Sequence, residues 1–65
     1  MKKKEQKRLA KVLGVLMSAA EDLGEDVAIS ISDKKERNDV RDKAGQIFNI
    51  CNKLLDYAAP ILEAE

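Results

Sequence analysis

The sequence predicts an all-α fold: an antiparallel helical hairpin that self-associates, most simply as a dimeric four-helix bundle. Three observations carry this. Apolar residues recur in steps of four and three along two separate stretches, which is helical periodicity. Both apolar stripes are wider than a single helix partner covers. And 65 residues form one domain (1–65) that on its own buries only about 60% of its unfolded surface. Chains this short are usually reinforced by disulfides, a metal or oligomerisation. With one cysteine and no histidine, oligomerisation is the expected route.

Helix 1 is expected over about residues 3–24. Its seam reads Leu9, Leu13, Leu16, Ala20, Leu23 and Val27, with Val12 and Ala19 widening the stripe on one flank and Met17 on the other. Gly24 is the expected end, as a left-handed cap, with room in the apolar spacing for a turn or two more. Lys2, Lys3 and Lys4 ahead of an apolar patch resemble the start of a secretory signal. Glu5 and Lys11 interrupt that pattern, and the run Val12 to Met17 is shorter than the roughly 7–15 residues such a signal needs. No stretch approaches the roughly 18 apolar residues of a membrane span. The expected location is cytoplasmic, in keeping with a lone thiol, Cys51, among apolar neighbours.

The connector is expected over about 25–32. Val27-Ala28-Ile29-Ser30-Ile31-Ser32 alternates like a strand but has no second β-pattern to pair with. Helix 2 follows over about 33–59. Asp33 with Glu36 makes a capping-box-like start, and Ser32 is an equally good cap one step earlier. The seam Val40, Ala44, Ile47, Cys51, Leu54, Ala58, Ile61 is joined by a parallel row of Phe48, Leu55 and Leu62. Pro60 is expected to end the regular helix near Ala58. The predicted core and oligomer interface is Leu9, Val12, Leu13, Leu16, Ala20, Leu23, Val40, Ala44, Ile47, Phe48, Cys51, Leu54 and Leu55. A carboxylate at Leu16 or Ile47 is expected to abolish folding and assembly together.

Twelve bases balance twelve acids, but they are segregated. Lys2, Lys3, Lys4, Lys7, Arg8 and Lys11 against Glu5 give the start of helix 1 a charge of 6 − 1 = +5, while Glu21, Asp22, Glu25 and Asp26 give its end −4. Both clusters oppose the helix macrodipole. An antiparallel hairpin offsets this by setting the basic start beside Asp56, Glu63 and Glu65, and the acidic end beside Lys34, Lys35, Arg37 and Arg41.

The residues needed for most catalysis are missing, and no enzyme activity is expected. Without histidine there is no Ser-His or Cys-His pair. One thiol and scattered carboxylates make a poor zinc site, the acidic run lacks the loop and central glycine of an EF-hand, and Gly14, Gly24 and Gly45 stand too far apart to cradle phosphate. No catalytic residue, cofactor or metal is assigned.

Two polar faces remain. Lys4, Lys7, Arg8 and Lys11 share one side of helix 1 and are a candidate phosphate-binding set. Asn38, Gly45, Asn49, Asn52 and Asp56 fall within about 60° of one another on helix 2, opposite its apolar stripe. Asn and Gly are poor helix formers, Gly by roughly 1 kcal/mol relative to Ala, so this stripe is a candidate partner or ligand face. Gly14 and Ser18 form a smaller feature of the same kind on helix 1, and Tyr57 lies at the edge of the apolar stripe.

In length and layout the chain resembles the plasmid-encoded Rop proteins, helical hairpins that dimerise into an antiparallel four-helix bundle and bind RNA on one face. The resemblance is architectural over the whole chain, with no shared residue motif and no counterpart in helix 1 of the aromatic on the Rop RNA face, so no binding residue is carried over. The expected function is that of a non-enzymatic, small regulatory or inhibitory interaction protein acting as a homo-oligomeric helical adaptor. Its expected partners are itself, as a dimer, and another protein. The alternative is a binder of nucleic acid or of a phosphorylated small molecule, either a nucleotide sponge or a Rop-like RNA binder.

Overall fold

The structure, a computed structural model, describes the backbone of residues 1–64 and the side chains of residues 1–58. Two long helices lie side by side in a rod of 45 × 15 × 15 Å. The first, α1, spans Lys3–Asp22 and passes without a break into a π-helical turn, Leu23–Val27, and a last α-turn at 28–29. The second, α2, spans Lys34–Ala64. No strand occurs among the described residues.

Local chemistry sets the ends of these helices. At the start of α1, the Lys2 N–H donates to Glu5 Oε1 at 2.9 Å, which satisfies one of the amides a helix start leaves without a partner. At the far end, Val27 O accepts from Ser30 N–H (3.1 Å) and from Ser30 Oγ (2.6 Å), and Ala28 O accepts from Ile31 N–H (3.1 Å). The connector is therefore only 30–33. Asp33 begins α2: its Oδ2 accepts the Glu36 N–H at 3.0 Å, the N-cap bond expected of an aspartate there. The Arg37 guanidinium reaches back to Ile31 O at 3.3 Å and ties the connector to α2.

Three expectations are corrected here. Gly24 does not cap a helix, because no glycine or other described residue has the positive φ such a cap requires. It sits inside the π turn, where the missing side chain serves packing. The strand-like alternation from Val27 is not a connector either, since 27–29 are helical. Finally, α2 runs on through Pro60 instead of ending near Ala58. A proline there removes a single donor, to the carbonyl of Asp56, and Asp56 is exposed so that water can serve that carbonyl. Ile61, Leu62, Glu63 and Glu65 lie outside the described side chains.

The π turn changes which residues face the core. The Ala28 N–H bonds to Leu23 O, five residues back instead of four, so the chain carries one extra residue in that turn. Everything after it is rotated back. Ala28 therefore becomes completely buried, while Val27, expected in the seam, is left about half exposed.

The core that results is made mostly of small side chains. Leu13, Ala20 and Ala28 are buried from the first helix, and Ala44, Cys51 and Ala58 from α2. A Cβ built on Gly24 would lie 3.4 Å from Ala44 Cβ, so the two backbones approach closely near the connector. Leu9, Leu23, Val40, Phe48 and Leu55 are half-buried around this line. Val12, Leu16, Ile47 and Leu54, expected in the core or the oligomer interface, are exposed within the single hairpin. Small residues bring the helices together over a narrow strip, and larger side chains beside it, Val12, Leu16, Ile47 and Leu54, stay exposed.

The antiparallel register is marked at the open end, where Gln6 Nε2 donates to Tyr57 O at 2.9 Å. On the surface of α2, Lys43 pairs with Asp39 and Gln46 Nε2 donates to Asp42 Oδ2 at 3.0 Å, both one turn apart.

Candidate functional site

At about 100° per residue, the exposed apolar side chains of each helix fall on one flank of its buried line. On α1 these are Val12, Val15, Leu16 and Ala19; on α2 they are Ile47, Ile50 and Leu54. The helices run antiparallel, so these two flanks turn to the same side of the hairpin. The Gln6–Tyr57 register sets them at similar heights along the rod. They form one broad apolar face, with Val15 65% and Ile50 59% exposed near its centre and Leu16 45% and Ile47 42% exposed beside them. Covering each of these side chains would contribute on the order of 1 kcal/mol.

The opposite side of the hairpin is different. Met17, Phe48 and Leu55 are half-buried there. Near the connector a groove of about 850 Å³ opens over Ala20, Gly24 and Ala44, walled by Glu21, Glu25, Arg41, Phe48 and Asn49. Gly24 and Gly45 both line it, with different roles. A side chain on Gly24 would touch Ala44, whereas a Cβ on Gly45 or on Gly14 would meet nothing within 4 Å.

The residues of the predicted polar stripe, Asn38, Gly45, Asn49, Asn52 and Asp56, are all exposed. The structure gathers only two of them: Gly45 and Asn49 in the groove. Asn38 borders a separate shallow depression with Lys35, Glu36, Asp39 and Asp42, and Asn52 and Asp56 line neither. The predicted phosphate-binding set, Lys4, Lys7, Arg8 and Lys11, is exposed on the outer side of α1, away from α2. Tyr57 is exposed as well, next to the apolar face.

Val15 and Ile50 are the site residues that sequence reasoning missed. A usable signal existed, because Val15 stands three residues after Val12 and four before Ala19, and Ile50 three after Ile47 and four before Leu54. Each extends the step pattern of the flank instead of that of the seam.

Among the described residues no group of three or more His, Cys, Asp or Glu side chains is placed to hold a metal ion. Cys51 is a buried free thiol within the hairpin, no buried side-chain nitrogen or oxygen among the described residues lacks a partner, and no described helix is long and apolar enough to cross a membrane. Comparison with protein-family models, curated proteins and solved structures finds no match to this chain.

Proposed function

We propose that this chain is a non-enzymatic, small regulatory or inhibitory interaction protein that works as a homo-oligomeric helical adaptor, most simply as a dimer of hairpins forming a four-helix bundle. One observation carries the reading: the hairpin leaves Val12, Val15, Leu16, Ile47, Ile50 and Leu54 exposed on a single side, outside its own core. A contiguous apolar face of this kind on so small a molecule marks an association surface. Among the described residues the core holds six buried side chains, four of them alanines, which gives the separate hairpin little stability of its own. Stacking two such faces supplies the missing core, and the bundle geometry is the ordinary solution for two hairpins.

The groove walled by Glu21, Glu25, Arg41, Phe48 and Asn49 lies on the other side of the hairpin and stays open in such a dimer. It is the place we assign to a second protein. The test is thermal. The melting temperature of an obligate oligomer rises with protein concentration, whereas that of a self-sufficient hairpin does not. A melting temperature that stays constant across a hundredfold dilution would overturn the reading.

A further inference from the structure

We infer that the groove over Ala20, Gly24 and Ala44 takes an amphipathic helix of a partner protein, one whose apolar row is bordered by lysines or arginines on the edge that faces Glu21, Glu25 and Asp26. This rests on the reading of the groove as the seat of a second protein and adds the chemical class of what sits in it.

The shape of the groove suits a helix. Ala20 and Ala44 are buried and Gly24 has no side chain, so nothing larger than a methyl group rises from the floor between its two walls. From Arg41 to Asn49 the α2 wall runs about 12 Å at 1.5 Å per residue, and Met17 and Leu55, half-buried like Phe48, continue the apolar track toward the open end. A helix laid along such a track seats side chains at i, i+3 or i+4, and i+7. A small molecule needs walls that enclose most of its surface, whereas this groove is open to solvent along its length.

Charge selects the class of helix. Glu21, Glu25 and Asp26 line the groove from the first helix, and Arg41 is the one base among the lining residues. None of these four side chains makes a hydrogen bond or ion pair with another described residue. The π turn brings two of the acids there: a turn closed by bonds five residues apart advances less per residue than an α-turn, so the sequence neighbours Glu25 and Asp26 both stay on the groove side. They also stand in the last turns of the first helix, whose carbonyl end is the negative pole, so a cation is favoured there twice over. The facing wall carries Arg41 and Asn49 and sorts the occupant's other edge toward acids or amides. The chain's own basic segment does not match. Lys4, Lys7, Arg8 and Lys11 stand on the outer side of α1, while Leu9 and Leu13 turn toward the core, so that side brings charge with no apolar row to cover the floor. Affinity comes from the apolar contact, and the charges choose the partner.

The chain contains no tryptophan, so a tryptophan in a probe peptide reports binding by its own fluorescence. Two amphipathic peptides of about 18 residues, five turns of helix, share one tryptophan and one leucine row and differ only in the border of that row, lysine in one and glutamate in the other. The unaltered chain is expected to bind the lysine peptide at least about tenfold more tightly than the glutamate peptide. Glu21→Gln, Glu25→Gln and Asp26→Asn together erase that preference. Gly45→Leu, which puts bulk at the groove where a Cβ meets no protein atom, weakens the lysine peptide at least about tenfold. A glutamate peptide that binds as tightly as the lysine peptide, with Gly45→Leu weakening both, would overturn the charge class and leave the groove as the seat of a second protein; so would a preference that survives the triple substitution. Lysine-peptide binding that ignores Gly45→Leu, or no binding of either peptide, overturns the groove assignment and this inference with it. Loss of self-association in the triple variant, read by sedimentation equilibrium, makes a second copy the occupant and overturns it as well.

Discussion

Gly24 faces Ala44 across the hairpin: a Cβ placed on it would sit 3.4 Å from the Cβ of Ala44, itself 2% exposed. That spacing is ordinary van der Waals contact, so one methyl group fits and a larger side chain does not. Gly24→Ala should therefore be tolerated and gain up to about 1 kcal/mol in helix propensity. Gly24→Leu should cost about 1–3 kcal/mol by forcing the helices apart. Urea denaturation of the two variants at one protein concentration checks both signs.

Gly45 offers the opposite case. Nothing would meet its Cβ within 4 Å, so Gly45→Ala should stabilise the chain by roughly 1 kcal/mol. Because Gly45 lines the groove assigned to a second protein, the same change should weaken capture of that protein while raising the melting temperature. Stability and binding moving in opposite directions is the expected signature; binding that is unchanged or improved would remove Gly45 from the contact surface.

Folding and assembly should be separable by choosing the residue. Leu13 is 2% exposed within one hairpin, and Leu13→Ala should cost about 2–5 kcal/mol, enough to unfold a domain of this size. Leu16 and Ile47 are nearly half exposed in the hairpin, so Leu16→Asp or Ile47→Asp should act mainly on association. This revises the sequence-based expectation that an acid at either position abolishes folding and assembly together. Far-UV circular dichroism alongside light scattering distinguishes the outcomes: helicity retained at monomer mass for the aspartates, helicity lost for Leu13→Ala.

The cap at Asp33 gives a local test of the hairpin. Its Oδ2 holds the Glu36 N–H at 3.0 Å, and Asp33→Ala should cost about 0.5–2 kcal/mol. Asp33→Asn, which keeps the acceptor, should recover most of the loss in the same denaturation assay.

The basic side of α1 can be examined by salt. If Lys4, Lys7, Arg8 and Lys11 serve a nucleic acid or nucleotide, binding should fall steeply between low and moderate ionic strength, and Lys7→Gln, Arg8→Gln and Lys11→Gln together should remove it. An adaptor that binds a protein through apolar contacts should hold its partner across the same salt range, as measured by titration calorimetry.

Much of the fold was legible in the sequence because it depends on spacing alone. Steps of four and three gave both helices, the antiparallel hairpin, and Leu13, Ala20, Ala44 and Cys51 as inward-facing. Asp33 with Glu36 announced the start of α2. What escaped depends on how closely the helices approach. Periodicity treats Ile47 and Leu54 as equal to Ala44 and Cys51, but the small residues draw the backbones together, and the core line shifts toward Phe48 and Leu55. The π turn was equally hidden: no residue type demands it, yet by adding one residue it exchanges Val27 for Ala28 in the core. The polar stripe from Asn38 to Asp56 was legible as a surface, but only Gly45 and Asn49 reach the groove, whose other wall is α1, and a pattern read along one helix carries no information about the other.

Sedimentation equilibrium of the unaltered chain over a wide dilution series tests the central claim most directly. The account predicts a mass of twice the 7.2 kDa chain at high concentration, giving way to the single chain as dilution proceeds. A mass of 7.2 kDa at every concentration, with the helices fully formed, would contradict it.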